Sequence, residues 1–490
     1  MFSRDKRTMA LLYSRFVSVL KSMAPAIAVF ILSAAFTVCS QTEKPNVIFI
    51  LADDLGWRDA GCYGSTYYET PHIDHLASEG MRFTCAYAAC AVCSPTRASI
   101  LTGKYPARLH LTDWIPGNFL PRKKLRPPDW TRHLALTEMN LGRVFKASGY
   151  ATASIGKWHL GGPDFYPEKQ GFDVNIGGMY GGMTPSYFSP YNIPTLTNGP
   201  PGEFLSNRLT AEAIQFIENH RAQPFFIYLP HYAVHVPITG KREIIEKYRL
   251  KFNPPGDPQR NPIYAALVES LDDSVGQIQA ALDRLGLSRN TIIVFTSDNG
   301  GETGAGRSPT SNRPLRRGKG SPYEGGIRVP LIVKWPGVTS PGQICEQPVS
   351  SIDFYPTLLE MAGVPDDVTH QSDGASIVPL LTGTGLLADR TLYWHYPHYR
   401  FGVITVPPYG IVRDGDFKLI EFYEDGHREL YNLRHDLGES QNLVSANRSK
   451  TLELTQKLHL WRKAVGAQMP VLNDAAGINP IAEDEIVEND

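Results

Sequence analysis

Five short apolar runs stand out along the chain: 46–51 (NVIFIL), 151–155 (ATASI), 225–229 (FFIYL), 291–296 (TIIVFT) and 331–334 (LIVK). Most are rich in β-branched or aromatic side chains, and each is followed at once by polar or ionisable residues. Short runs with little polar alternation predict strands buried on both faces of a sheet. Between them the period changes. Ile263, Leu267, Leu271, Val275, Ile278, Leu282 and Leu285 form one helical stripe over 263–285, and 137–148 runs from Thr137, an N-cap candidate, to a stop at Gly149. Strands alternating with helices predict an α/β fold, a large mixed but mainly parallel sheet flanked by helices. The Pro/Gly-rich tract 191–202 predicts a long surface loop.

Beyond residues 377–383 the pattern shortens to 392–395, 410–413, 418–422 and 429–432, with turns at Asp414-Gly415-Asp416 and Asp425-Gly426 and a helical pattern over 451–465. This predicts a smaller C-terminal antiparallel sheet closed by a helix. A chain of 490 residues exceeds what one core accommodates. The boundary falls near Leu386, giving a catalytic part over 41–385 and a subdomain over 386–472. The acidic tail 473–490 is poor in apolar residues and predicts disorder. At the other end, Arg4, Lys6, Arg7, Arg15 and Lys21 precede an apolar stretch, 23–38, that is short for a membrane span. Residues 1–40 therefore read as an export signal, with an uncut anchor as the alternative and Cys39 as a lipid attachment candidate. Export implies a periplasmic or secreted protein, in which Cys62, Cys85, Cys90 and Cys345 either pair as disulfides or remain free.

The formal net charge is only -1, so no global field draws in nucleic acid, and an anionic substrate needs a local cluster. In open α/β sheets that cluster belongs beyond the carboxyl ends of the strands. The run 46–51 delivers Asp53 and Asp54 there, and 291–296 delivers Asp298 and Asn299. Four oxygen-bearing side chains without His or Cys suit a hard cation, Ca²⁺ ahead of Mg²⁺. The other strand ends bring Lys157 and His159 (GKWHLGG) and His235 (HYAVHVP), an acid/base set around an anion. Lys319 lies in a Gly-rich segment, RRGKGSPYEGG, whose backbone can approach a ligand closely. In Cys93-Ser94-Pro95-Thr96-Arg97-Ala98-Ser99, Pro95 suits a first helical turn and Gly103 a helix end. Cys93 is thereby placed at a helix N-terminus, where negative charge is favoured. Arg97 is four residues on, close to the same face.

The C-x-P-x-R signature, followed by Ala98-Ser99 and LTGKYPAR (101–108), resembles the type I sulfatases of the alkaline phosphatase superfamily. The resemblance extends from NVIFILADDLGW (46–57) to ELYNL (429–433), and no expected position is missing. It implies that Cys93 is oxidised to Cα-formylglycine (3-oxoalanine) by a formylglycine-generating enzyme. It implies that Asp53, Asp54, residue 93, Asp298 and Asn299 hold one Ca²⁺, and that Arg97, Lys157, His159, His235 and Lys319 handle the sulfate. In such an enzyme the hydrated aldehyde attacks sulfur in line, with Asp298 as candidate base. His235 protonates the leaving oxygen, and His159 takes the second hydroxyl's proton so that collapse to the aldehyde expels sulfate. A serine or cysteine ester has no second hydroxyl with which to do this. His72 in TPHID departs from the Asn common in the family, outside the motif set. HLTDWIPG (110–117) and YWHYPHY (393–399) resemble bacterial carbohydrate sulfatases, implying exo-acting removal of sulfate from a galactose or N-acetylgalactosamine sulfate. His110, Asp113, Arg313, Arg316, His395, His398 and Arg400 are the candidates for reading that sugar. The competing readings are a phosphatase, phosphodiesterase or phosphonate hydrolase of the same superfamily, and a non-catalytic protein that binds sulfated glycans.

Overall fold

Strand β1 (Asn46–Ala52) is buried along its whole length, as is β6 (Thr291–Ser297) beside it. Alternate β1 residues feed two separate cores, because successive side chains of a strand point to opposite faces. Ile48 and Ile50 pack with Leu205, Leu209, Leu267 and Leu271, whereas Val47, Phe49 and Leu51 pack with Ile100, Leu101, Phe145, Phe354 and Leu358. The computed structural model describes Tyr13 and residues 44–473, apart from 119, 121, 304–308, 367–368 and 401–404. The export segment expected over 1–40 and the tail from 474 thus lie outside the described residues, Tyr13 excepted. Among the described residues no helix is long and apolar enough to cross a membrane.

The remaining strands of the large sheet are β2 (Met81–Tyr87), β3 (Ala151–Ile155), β4 (Val174–Ile176), β5 (Phe225–Pro230), β7 (Arg328–Lys334), β8 (Gln343–Cys345) and β9 (Val349–Ser350). Their order is β9-β2-β7-β6-β1-β5-β3-β4, with β8 also paired to β2. Every pairing is parallel except those of β7, which runs against both β6 and β2. The sheet is therefore mixed and mainly parallel.

Helices α1 (Pro71–Glu79), α2 (Cys93–Thr102), α3 (Leu141–Ala147), α4 (Leu205–Asn219), α5 (Arg242–Leu250), α6 (Pro262–Arg284) and α7 (Phe354–Met361) flank it. Helix α3 begins later than Thr137 suggested, because Asn140 is the residue whose side chain accepts from a first-turn N–H, that of Arg143. Helix α6 follows its stripe closely, capped by Asn261. Strand β2, the short strands β4, β8 and β9, and helices α1, α4, α5 and α7 lie outside the elements expected above, although α4 carries a helical stripe of Leu205, Leu209, Ala213, Phe216 and Ile217.

A separate four-stranded antiparallel sheet follows: β10 (Thr391–Tyr396), β11 (Tyr409–Asp414), β12 (Phe417–Phe422) and β13 (Arg428–Asn432), in that order. One face packs Val412, Leu419 and Leu430 on Leu454 and Leu458 of α8 (Arg448–Ala464). The other packs Trp394, Ile411, Ile420 and Tyr431 against Cys85, Tyr87 and Tyr323. A buried ionic knot reinforces that second contact: Lys418 Nζ lies 3.0 Å from Glu324 Oε1 and 2.9 Å from Glu439 Oε1, all three side chains fully buried. All five described cysteines, Cys62, Cys85, Cys90, Cys93 and Cys345, are free, so of the two alternatives for the thiols the disulfides are not formed.

Candidate active site

The ends of β1 and β6 lie side by side because the strands pair in register, Ala52 against Ser297. Asp53-Asp54 and Asp298-Asn299 follow directly. The β1–β5 pairing also continues past the strands, Asp53 N donating to Ala233 O (3.0 Å) and Val234 N to Asp53 O (2.7 Å), which pins the turn carrying His235 beside Asp53. At the end of β3, a Cβ on Gly156 would sit 1.9 Å from Pro230 O. Only glycine permits the close approach by which Lys157 N donates to Pro230 O (2.7 Å) and the lysine turns into the site. Asp54 (φ 63°) and His159 (φ 55°) sit in the left-handed region, a strain of about 1–3 kcal/mol each for such residues that the surrounding fold must hold.

Cys93 opens α2, which ends at Gly103 in the left-handed conformation (φ 69°), its N–H donating to Ser99 O. All ten residues of α2 are buried, an unusual position for Arg97. The arginine is neutralised: Nε and Nη2 donate to Asp298 Oδ2 at 2.9 and 2.7 Å, and Nη1 donates to Lys157 O. Lys157 Nζ lies 2.6 Å from Asp53 Oδ2. Lys319 Nζ lies 2.7 Å from Asp54 Oδ1, and His235 Nε2 lies 3.7 Å from Asp54 Oδ2. Three carboxylates thus face three permanent cations in a buried space, with Cys93 at their edge.

These residues fit a hard cation. Asp53, Asp54 and His235 bring one ligand atom each within 4.8 Å of one another. Asp53 Oδ1 and Asn299 Oδ1 are buried without a hydrogen bond, the former having only Arg97 Nη2 at 3.6 Å, and acceptors so placed are costly unless a partner meets them. Asp298 also turns toward Asp54, its Oδ1 accepting from Asp54 N (3.2 Å), and Asn299 Nδ2 donates to Asp54 Oδ1 (2.8 Å), which leaves its amide oxygen outward. The donor set is oxygen-dominated, as Ca²⁺ and Mg²⁺ require.

The electrostatics separate the groups by role. Burial disfavours the Asp54 carboxylate, but the Lys319 charge above all, with Lys157, outweighs it and holds the carboxyl well below its ordinary range. Burial and then the Asp53 charge push Asp298 up to about 6 despite Arg97. Burial pushes the Cys93 thiol up, with Lys157 and Lys319 opposing. His159 is held neutral by burial and then by Lys157. Its Nε2 meets Ile115 O at 2.5 Å, which assigns the N–H to Nε2 and leaves Nδ1 a buried, unpaired acceptor. His235, partly exposed, is lowered to about 3 by burial and then by Lys319.

The seven sugar-reading candidates separate. Arg400 reaches the site, 3.9 Å from Glu302. Asp113 is buried, accepts from Tyr396 Oη (2.7 Å) and is pushed up to about 6 by burial. His398 binds Thr112 Oγ1 through Nε2 (2.8 Å) and is also buried. His395 has both ring nitrogens engaged, by Tyr423 Oη and Gln468 O, and His110 meets Gly466 O. Arg316 stacks 3.8 Å over Tyr323 and donates to Tyr431 Oη and Glu439 O, a bridge between the two sheets. Arg313 is exposed on its loop. Two partners had no sequence signal: the Ile115 carbonyl, which is backbone, and Glu302, a lone acidic residue in a glycine-rich loop.

A buried arginine and two lysines set against strand-end carboxylates suit a tetrahedral oxyanion, and the mixed sheet flanked by helices is of the kind found in the alkaline phosphatase superfamily. Comparison with known proteins agrees. The family described as Sulfatase matches residues 45–364, and N-sulphoglucosamine sulphohydrolase, C-terminal, matches 318–465. The chain is 34% identical to a sulfatase of Formosa agariphila over 88% of this chain and 91% of that protein. It is 34% identical to N-acetylgalactosamine-6-sulfatase of Mus musculus over 72% of this chain and 69% of that one. The crystal structure of Ps i-CgsB superposes with a TM-score of 0.72 at 28% identity, covering 86% of this chain and 93% of that one. The chain belongs to the sulfatase family, hydrolases of sulfuric esters.

Proposed function

We propose that the protein removes sulfate from a sulfated carbohydrate, a galactose or N-acetylgalactosamine sulfate attacked from the chain end, using formylglycine made from Cys93 and one Ca²⁺. The observation that carries the reading is the position of Cys93 at the start of α2, beside Lys157, Lys319, Asp298 and Asp53. The relative from Mus musculus named for N-acetylgalactosamine 6-sulfate supports the sugar. In this reading 1–40 directs export, the catalytic part ends near 385, and a formylglycine-generating enzyme is an obligatory partner.

Residue 93, once oxidised and hydrated, would supply the attacking oxygen, and Asp53, Asp54, Asp298 and Asn299, together with residue 93, would hold a cation that would supply fixed positive charge. Arg97 orients that oxygen; its guanidinium is locked by two bonds to Asp298. Asp298, whose Oδ2 accepts from Arg97, is the candidate to accept the nucleophile's proton. Lys157 and Lys319 stabilise the sulfuryl oxygens as charge builds. His235 is neutral in the empty site, and the negative charge of a bound sulfate ester next to Nε2 favours its protonation, so it can deliver a proton to the departing sugar oxygen. His159 presents the bare Nδ1 that takes the proton of the second hydroxyl.

The test is parallel hydrolysis of aryl sulfate and aryl phosphate by protein made with the converting enzyme, followed by a panel of sulfated monosaccharides. A strong preference for phosphate refutes the reading. So does an unmodified thiol in the residue-93 peptide of protein from its native host.

A further inference from the structure

The mouth of the site has two chemically different walls. On the Lys319 side, Glu302 follows Asp298 by four residues in one strand-end loop, and Lys319 N donates to the neighbouring Gly301 O (3.1 Å). Arg400, from the loop after β10, enters the same corner: its Nη2 is 3.9 Å from Glu302 Oε2, with the side chains 21% and 35% exposed. Gly320 allows this approach, since a Cβ there would lie 2.5 Å from Arg400 Cγ. Gly320 N donates in turn to Ala91 O (2.8 Å), tying the corner to the turn that leads into α2.

Beside the two histidines the exposed side chains are apolar. Val236, next to His235, is 39% exposed, and Tyr180 and Met183 are 40% and 52% exposed. The latter two flank Gly181 and Gly182, and a Cβ on Gly182 would lie 2.3 Å from His159 Cε1, so this turn lies against the catalytic imidazole.

We propose that Glu302 and Arg400 form a hydroxyl-reading pair for the sugar that bears the sulfate, while Val236, Tyr180 and Met183 receive its C–H face. The inference rests on the sulfatase reading and deepens it to a ligand class: a pyranose sulfate, in preference to an aryl or alkyl sulfate. A pyranose presents ring C–H groups on its faces and hydroxyls around its edge, which suits exposed apolar side chains beside the histidines together with a carboxylate and a guanidinium beside Lys319. The carboxylate accepts from hydroxyls and the guanidinium donates to their oxygens. Nη2 and Oε2 are 3.9 Å apart, a separation that one hydroxyl group can span by donating to the carboxylate and accepting from the guanidinium.

The experiment measures kcat/KM for 4-nitrophenyl sulfate and for galactose and N-acetylgalactosamine sulfates, with full-length formylglycine-bearing enzyme, for the wild type, Glu302→Gln, Arg400→Lys and Met183→Ala. Loss of a hydrogen bond to a charged group predicts that the sugar-to-aryl ratio falls roughly ten- to hundredfold in Glu302→Gln, mainly through KM. Arg400→Lys, which keeps the charge but loses the planar fork, lowers the same ratio by a smaller factor. Equal losses on both substrates, or an unchanged ratio in both charged-pair variants, overturn the proposal even if the enzyme is a sulfatase. A wild-type enzyme that cleaves none of these sulfates overturns the underlying reading and the pair's role with it. All variants retain partly exposed positions, and a melting curve for each confirms that the compared proteins are folded.

Discussion

Replacing Lys418 by methionine removes the cation from the knot that joins the two sheets. Its ammonium serves Glu324 and Glu439 at once, at 3.0 and 2.9 Å, with no solvent at any of the three side chains. Glu324 keeps Tyr87 Oη (2.7 Å) and Arg328 (3.4 Å), but Glu439 Oε1 is left with no donor, its other oxygen accepting from Glu324 N (2.7 Å). Methionine fills similar volume, so the cost is electrostatic: stranding one partner of a buried pair typically costs about 3–5 kcal/mol. The cost should depend on pH. Burial, and then the Glu324 charge opposing Lys418, already pushes Glu439 up to about 7 in the intact protein. A carboxyl raised above its unfolded value binds its proton more tightly when folded, so the stability it lends is complete at low pH and disappears as pH rises through the folded value. Without Lys418 that folded value rises further. Urea unfolding of wild type and Lys418→Met at pH 7.5 and 5.5, compared as differences so that shared titrations cancel, should show the larger loss at pH 7.5. A loss under 1 kcal/mol, or a larger loss at pH 5.5, would refute the reasoning. Glu324 begins the turn after the Lys319 segment, so the variant should also lose activity before it unfolds globally.

Cys93→Ala should abolish sulfate release with little change in melting temperature, because a small residue at a helix start opens no large cavity; failure to obtain folded protein would point to a structural cysteine. Excess chelator should lower the melting temperature, and Ca²⁺ should restore it; at a hundredfold excess over its dissociation constant a ligand specific to the folded state adds about 2.7 kcal/mol. Deleting 466–490 should lower kcat/KM roughly ten- to hundredfold. That segment holds the 110–126 loop through Gly466 O on His110 and the Val471–Leu472 ladder on Leu125–Arg126, and the same loop supplies the Ile115 carbonyl to His159. An unchanged kcat/KM in the truncated protein would show that the loop stands without it.

The central strands and the cluster at their ends were legible in the sequence because both are local. A run such as 46–51 can bury every residue only where both faces of its sheet are covered, and in the parallel pairing of β1 with β6 the residues that follow it emerge at the carboxyl edge with those of 291–296. The helix from Cys93 to Gly103 carried its own start and stop. Features made by distant segments were not legible. The antiparallel course of β7 depends on which edge its connection reaches, and the start of α3 on whether Asn140 or Thr137 finds the first-turn N–H. Among the sugar-reading candidates, His395 has its ring nitrogens engaged within the C-terminal part, by Tyr423 and Gln468, and Arg316 donates to Tyr431 and Glu439, contacts that no local pattern announced. Glu302 had an unremarkable sequence and the right neighbour, because a glycine at 320 lets Arg400 come down beside it. The sequence by itself determined the α/β frame and which residue types meet at its strand ends, since those follow from periodicity and chain direction. Only the tertiary structure decided which loop atoms complete the site, since that depends on contacts between residues far apart in the chain, whose partners no local pattern encodes.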